Sequence, residues 1–164
     1  MDDYLRKLLN KYKNKGLLID TNLLLVYFVG KYDVNLISKF KRTLTFTIDD
    51  FNKLQRIFIF FSKIVSTPNI LTEVNSLSNQ LPENVKLNYY LKMKEQIVKL
   101  DERFTESKRI CELTHFPKFG LTDTGIIELV KDEYLVLTDD FRLANYLEKM
   151  KMDVINFNHL RSGF

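Results

Sequence analysis

The sequence predicts an α/β fold, three layers deep, with helices on both sides of a central, mainly parallel sheet of four to five strands. Three observations carry that expectation. Short unbroken apolar runs ("GLLID", "KIVST", "YLVLT", "DVINF") have the length and character of strands buried on both faces. Longer stretches with helical periodicity separate them, and strand alternating with helix favours parallel pairing. Helix-start chemistry also recurs: Thr67 precedes Pro68, and Thr47 stands three residues before Asp50.

In chain order, residues 3–13 repeat Tyr4, Leu8 and Tyr12 on one side and predict a helix. "GLLID" is the first strand, and "LLLVYFV" after Asn22 opens the next helix. Residues 34–46 carry no clear period. The Thr47–Asp50 pair reads as a capping box for a helix through Phe51, Leu54, Phe58 and Phe61. "KIVST" is the second strand, and Thr67–Pro68 starts a helix that holds Glu73 early in its length. After a turn at Pro82, residues 84–113 predict one long amphipathic helix with Tyr90, Met93, Ile97, Leu100 and Phe104 on its stripe. "THFPKFG" reads as a loop, and Thr122 as the cap of a helix beginning at Asp123. "YLVLT" is the third strand, residues 140–150 a further helix, and "DVINF" the fourth strand.

The bulk numbers bound the rest. A chain of 164 residues is most simply one domain with a sizeable core. Five glycines and three prolines argue against linkers, repeats or disordered tails. The single cysteine, Cys111, cannot form an internal disulfide and is expected in the core. The charged N-terminal stretch does not read as a secretory leader, and no apolar run is long enough for a bilayer. The expectation is a cytoplasmic protein with no membrane partner. The net charge of +4 is modest for a nucleic-acid binder. It means more if carboxylates converge on one place, because the remaining surface is then more basic.

Convergence is what the pattern predicts. Parallel strands joined by helices put all their C-terminal ends on one sheet edge, where ligands of such folds bind. Asp20 ends the first strand, Glu73 follows the second, and Asp139 and Asp140 follow the third. Asp123 stands at a helix start, where the backbone dipole favours a carboxylate. Carboxylates this crowded repel one another unless cations intervene. An all-oxygen set without His or Cys suits Mg²⁺ or Mn²⁺. His115 and His159 are expected to play no catalytic part.

Taken in order, these segments resemble the PIN domain, a family of metal-dependent nucleases that includes VapC-type toxins. "LLIDTNLLL" is similar to its first motif, giving Asp20, Thr21 and Asn22. "STPNILTEV" is similar to the second with Glu73, and "GLTDTGIIEL" to the third with Asp123. "YLVLTDDFRL" resembles the fourth, mapping Thr138 and Asp140, and the 17 residues from Asp123 to Asp140 match the family's usual interval. Two departures mark an extended variant: residues 1–15 form an N-terminal helical extension, and residues 30–50 an insertion.

The resemblance implies an endoribonuclease in which Asp20 and Asp123 hold Mg²⁺ or Mn²⁺ directly. Glu73 and Asp140 would hold it through water or complete a second site, with Asp139 as the alternative to Asp140. The ion would lower the pKa of a water near neutral pH and offset charge on the phosphate. Thr21, Asn22 and Thr138 would orient ligands or water. Lys118, Phe119 and Arg142 would contact single-stranded RNA. An antitoxin protein and a homodimer are further partners the family implies. A haloacid dehalogenase-type phosphatase needs a second acid where Asn22 stands, and a receiver domain needs an acidic pair that "DTN" does not supply. The rival reading is a catalytically inactive PIN-like module that binds RNA or protein.

Overall fold

A computed structural model of the protein describes residues 3–131 and 133–162. Met1 and Asp2 of the expected extension lie outside these residues. Five strands form one sheet in the order β3-β2-β1-β4-β5. They are β1 Leu17–Ile19, β2 Ile64–Ser66, β3 Asp101–Glu102, β4 Leu135–Thr138 and β5 Val154–Asn156. Every neighbouring pair is parallel, with Leu18 opposite Val65 on one side and Val136 on the other. The fold is α/β with helices flanking this parallel sheet in three layers, as the alternation of runs predicts. β1, β2 and β4 are buried along their whole length, which explains why they read as unbroken apolar runs.

The helices follow local chemistry. α1 Asp3–Tyr12 buries Leu8 and Tyr12. The Tyr12 hydroxyl donates to Asp153 at 2.9 Å, and Lys11 reaches the same carboxylate at 2.6 Å, tying the extension to the residue before β5. α2 Thr21–Tyr32 is apolar almost all round and is the central buried helix. A Cβ added to Gly30 would lie 2.3 Å from the Phe51 ring, so only glycine lets α3 Ile48–Phe60 approach this closely. The Thr47–Asp50 capping box closes in both directions. Thr67 accepts from the Ile70 amide at 3.2 Å and starts α4 Pro68–Ser78. Residues 34–46 hold a short 3-10 helix, Val34–Leu36, and turns.

Several expectations need correction. The long helix over residues 84–113 is instead α5 Glu83–Ile97, strand β3, and the five-residue α6 Ser107–Cys111. Tyr89 rather than Tyr90 is fully buried on α5, and Phe104 is 72% exposed. Cys111 is exposed, because Ile110 is the residue that α6 turns inward. "THFPKFG" is not a loop. α7 runs from Phe116 to Val130 with one break at Gly120, whose φ of 71° lies in the left-handed region that glycine tolerates. Thr122 therefore caps nothing, and its hydroxyl serves the site described below. α8 Phe141–Lys149 is capped by Asp140, and α9 Phe157–Ser162 follows β5. No helix among the described residues is long and apolar enough to cross a membrane.

Candidate active site

The connections run outward from β1 in two directions, through β2 to β3 on one side and β4 to β5 on the other. The order of the strands reverses beside β1, and sheets of this kind leave a crevice at such a reversal. Asp20 follows β1 and Thr138 ends β4, so the two sides of the reversal each deliver polar groups to the same edge. A cavity of about 300 Å³ opens there. It is lined by Asp20, Thr21, Asn22, Glu73, Ser76, Leu77, Asp123, Thr138 and Asp140. Asp20, Glu73, Asp123 and Asp140, four of the five acids expected at this edge, line the cavity.

Asp20 is the most constrained. It is 6% exposed and caps α2, with Oδ1 accepting from the Leu23 amide at 3.1 Å. Its Oδ2 accepts from the Thr138 hydroxyl and, at 3.0 Å, from the Asp139 amide. Burial, and then the charge of Asp139, push its carboxyl well above the usual carboxylate range despite these donors. Asp139 itself is raised by burial and receives the Asn22 amide at 3.3 Å. Glu73 is held at both oxygens, by Thr21 at 2.8 Å and by Thr122 at 2.6 Å, which clasps α2, α4 and α7 together.

Asp123 stands one turn past the Gly120 break, half-buried and without a side-chain hydrogen bond among the described residues. Burial, then the charges of Asp140 and Glu73, raise it to about 6, and the Arg142 charge opposes the shift. Asp140 spends Oδ1 on the Arg142 and Leu143 amides at 2.6 and 3.2 Å. Of the adjacent pair it is Asp140 that lines the cavity, while Asp139 sits against Asp20.

Among the described residues no group of three or more His, Cys, Asp or Glu is drawn close enough to hold a metal ion. Glu73 and Asp20 are instead engaged by neutral hydroxyl and amide donors. The donor chemistry still fits a hard divalent ion. Mg²⁺ is held by one or two carboxylates with its remaining positions filled by water, so four acids around one cavity suffice without a closed cage.

Comparison with family models, with curated proteins and with solved structures finds no match. Function therefore rests on the site itself.

Lys118, Phe119 and Arg142 do come together, though not as a stacking platform. Phe119 is 6% exposed, with the Lys118 ammonium 5.0 Å and the Arg142 guanidinium 5.2 Å from its ring centre. The ring supports the cations rather than offering a face to a base. Ser76 and Leu77 escaped sequence reasoning. Their signal was spacing: three and four residues after Glu73, they share its helix face. His115 packs 6.0 Å from Tyr146, and neither histidine lines the cavity.

Proposed function

We propose that the chain is a PIN-like, metal-dependent endoribonuclease that hydrolyses RNA phosphodiester bonds. One observation carries the reading. Asp20, Glu73, Asp123 and Asp140 line a single cavity at the strand-order reversal of a parallel sheet, and none of them makes a salt bridge among the described residues. Asp20 is buried and Asp123 and Asp140 are half-buried, and structural acids withdrawn from water are ordinarily paired with the protein's own cations.

Asp123 and Asp20 would hold Mg²⁺ or Mn²⁺, with Glu73 and Asp140 reaching it through water. The ion supplies charge that acidifies water and offsets the phosphate's negative charge. The chain's own residues prepare the place. Thr138 and the Asp139 amide fix the Asp20 carboxylate, and Thr21 and Thr122 fix Glu73. Arg142 and Lys118 offer positive charge for the flanking strand. An antitoxin and a homodimer are implications of the resemblance alone.

The second reading, an inactive RNA- or protein-binding module, is favoured by the saturated Glu73 and the absence of a preformed cage. Incubation of the protein with single-stranded RNA and Mn²⁺ separates the two. Cleavage that stops with chelator is expected, and Asp123→Asn should lose on the order of 10²–10³-fold in rate. Asp123 is chosen because its side chain makes no hydrogen bond among the described residues, so its replacement removes none. RNA bound equally well in chelator and never cut would establish the module instead.

A further inference from the structure

The α4 wall of the cavity carries a hydroxyl with nothing to do. Three hydroxyls line the cavity. Thr21 is spent on Glu73 and Thr138 on Asp20. Ser76 is exposed, and its hydroxyl makes no hydrogen bond among the described residues. It lies three residues after Glu73, which puts the two side chains about 5–6 Å apart at Cβ on one helix face. Leu77 beside it is half-buried and supplies an apolar surface to the same wall.

Resting on the nuclease reading above, we infer that Ser76 recognises the ribose 2′-hydroxyl of the nucleotide on the 5′ side of the scissile phosphate. That hydroxyl sits on the carbon next to the one bearing the bridging 3′-oxygen. A phosphate placed beside Glu73 therefore leaves the 2′-oxygen within about one helical turn of that residue, the separation at which Ser76 lines the same cavity. Both groups donate and accept, so one hydrogen bond forms in either sense. The 2′-hydroxyl is the feature that lets a protein tell RNA from DNA. Leu77 packs against the sugar and keeps water from competing. Hydrolysis by external water makes no use of the 2′-oxygen, so its recognition is a matter of binding alone. A deoxy substrate is disfavoured rather than inert.

The test compares an all-ribose oligonucleotide with one carrying a single 2′-deoxy nucleotide immediately 5′ of the mapped cut, in the presence of Mn²⁺. Wild type is expected to lose about 3- to 10-fold in kcat/KM on the deoxy substrate, the worth of one neutral hydrogen bond at a partly exposed site. Ser76→Ala should cut both substrates alike, and Ser76→Thr, which keeps the hydroxyl, should keep the preference. A deoxy penalty of equal size in Ser76→Ala, or no penalty in wild type, overturns this assignment and leaves the nuclease reading standing. If wild type cuts neither substrate, both fall.

Discussion

The protein buries acids in two places and treats them in opposite ways. Asp50, 3% exposed at the start of α3, is met by Arg161 from α9, at 3.2 Å from Nε to Oδ1 and 3.1 Å from the outer nitrogen to Oδ2. The Thr47 amide adds a further donor at 2.8 Å, and Arg161 also donates to the Thr45 carbonyl. This carboxylate is neutralised and fully engaged. The cavity acids receive hydroxyls, amides and one distant guanidinium, but no paired cation. Burial with a partner holds the chain together, whereas burial without one leaves a standing demand for positive charge. The first arrangement is structural, and the second is the reason to look for a ligand.

The sharpest way to break the contrast is to remove Arg161. Arg161→Ala leaves Asp50 buried and unpaired, a change that costs about 3–5 kcal/mol. For a domain of this size that is roughly 6–20 °C in Tm by differential scanning calorimetry. Added Mn²⁺ should restore none of it, since neither Asp50 nor Arg161 is among the residues that line the cavity. A fall smaller than about 2 °C would show that the Asp50–Arg161 pair is not what neutralises this region.

The same experiment on the acidic side should go the other way. Asp20 and Asp123 are both raised above the ordinary value of 3.8, Asp123 to about 6. A carboxyl raised in the folded state contributes stability that is fully present below its unfolded pKa. That contribution is lost as pH climbs through the folded pKa. Metal-free protein should therefore lose stability between about pH 4 and pH 7. Mn²⁺ at a hundred times its dissociation constant should return about 2.7 kcal/mol at neutral pH, roughly 5–10 °C, and much less at pH 5. Asp123→Asn removes one of the repelling charges, so without metal at neutral pH its Tm should match or exceed wild type. Its response to Mn²⁺ should shrink. A substitution that lowers Tm without metal by as much as Arg161→Ala would erase the distinction between the two regions.

How much of this was legible in the sequence follows from the same physics. β1, β2 and β4 announced themselves because strands buried along their whole length read as nearly unbroken apolar runs, and β5 through the shorter run Val154–Ile155. Asp20, Glu73 and Asp140 stood out because parallel topology sends the ends of successive strands to one edge, and Asp123 because it reads as a helix-start acid within the third motif of the resemblance. β3 was not legible, since its two residues, Asp101 and Glu102, are a charged, partly exposed edge with no apolar run to mark it. The break at Gly120 hid inside what reads as a loop, and with it the helical position of Thr122. Phe119 is a candidate RNA contact in the sequence because it stands as an aromatic beside cations. Only three dimensions show Lys118 and Arg142 lying over it.

The mildest perturbation sharpens the comparison most. The charge of Arg142 opposes the rise of Asp123, yet among the described residues it forms no salt bridge with any of the acids. It lies instead over the Phe119 ring, from which an outward-facing guanidinium can meet a phosphate. If Arg142 were to the cavity what Arg161 is to Asp50, Arg142→Ala would unfold the region. The absence of an ion pair predicts otherwise: Tm should move by no more than about 0.5 kcal/mol's worth, as for an ordinary surface substitution. RNA binding should weaken across sequences, and its dependence on salt should flatten by about one unit of slope, the mark of a lost phosphate contact. Binding measured by fluorescence anisotropy at several salt concentrations reads both quantities. An unchanged slope together with a large fall in Tm would make Arg142 a structural counter-charge, and the cavity would then be neutralised by the protein after all.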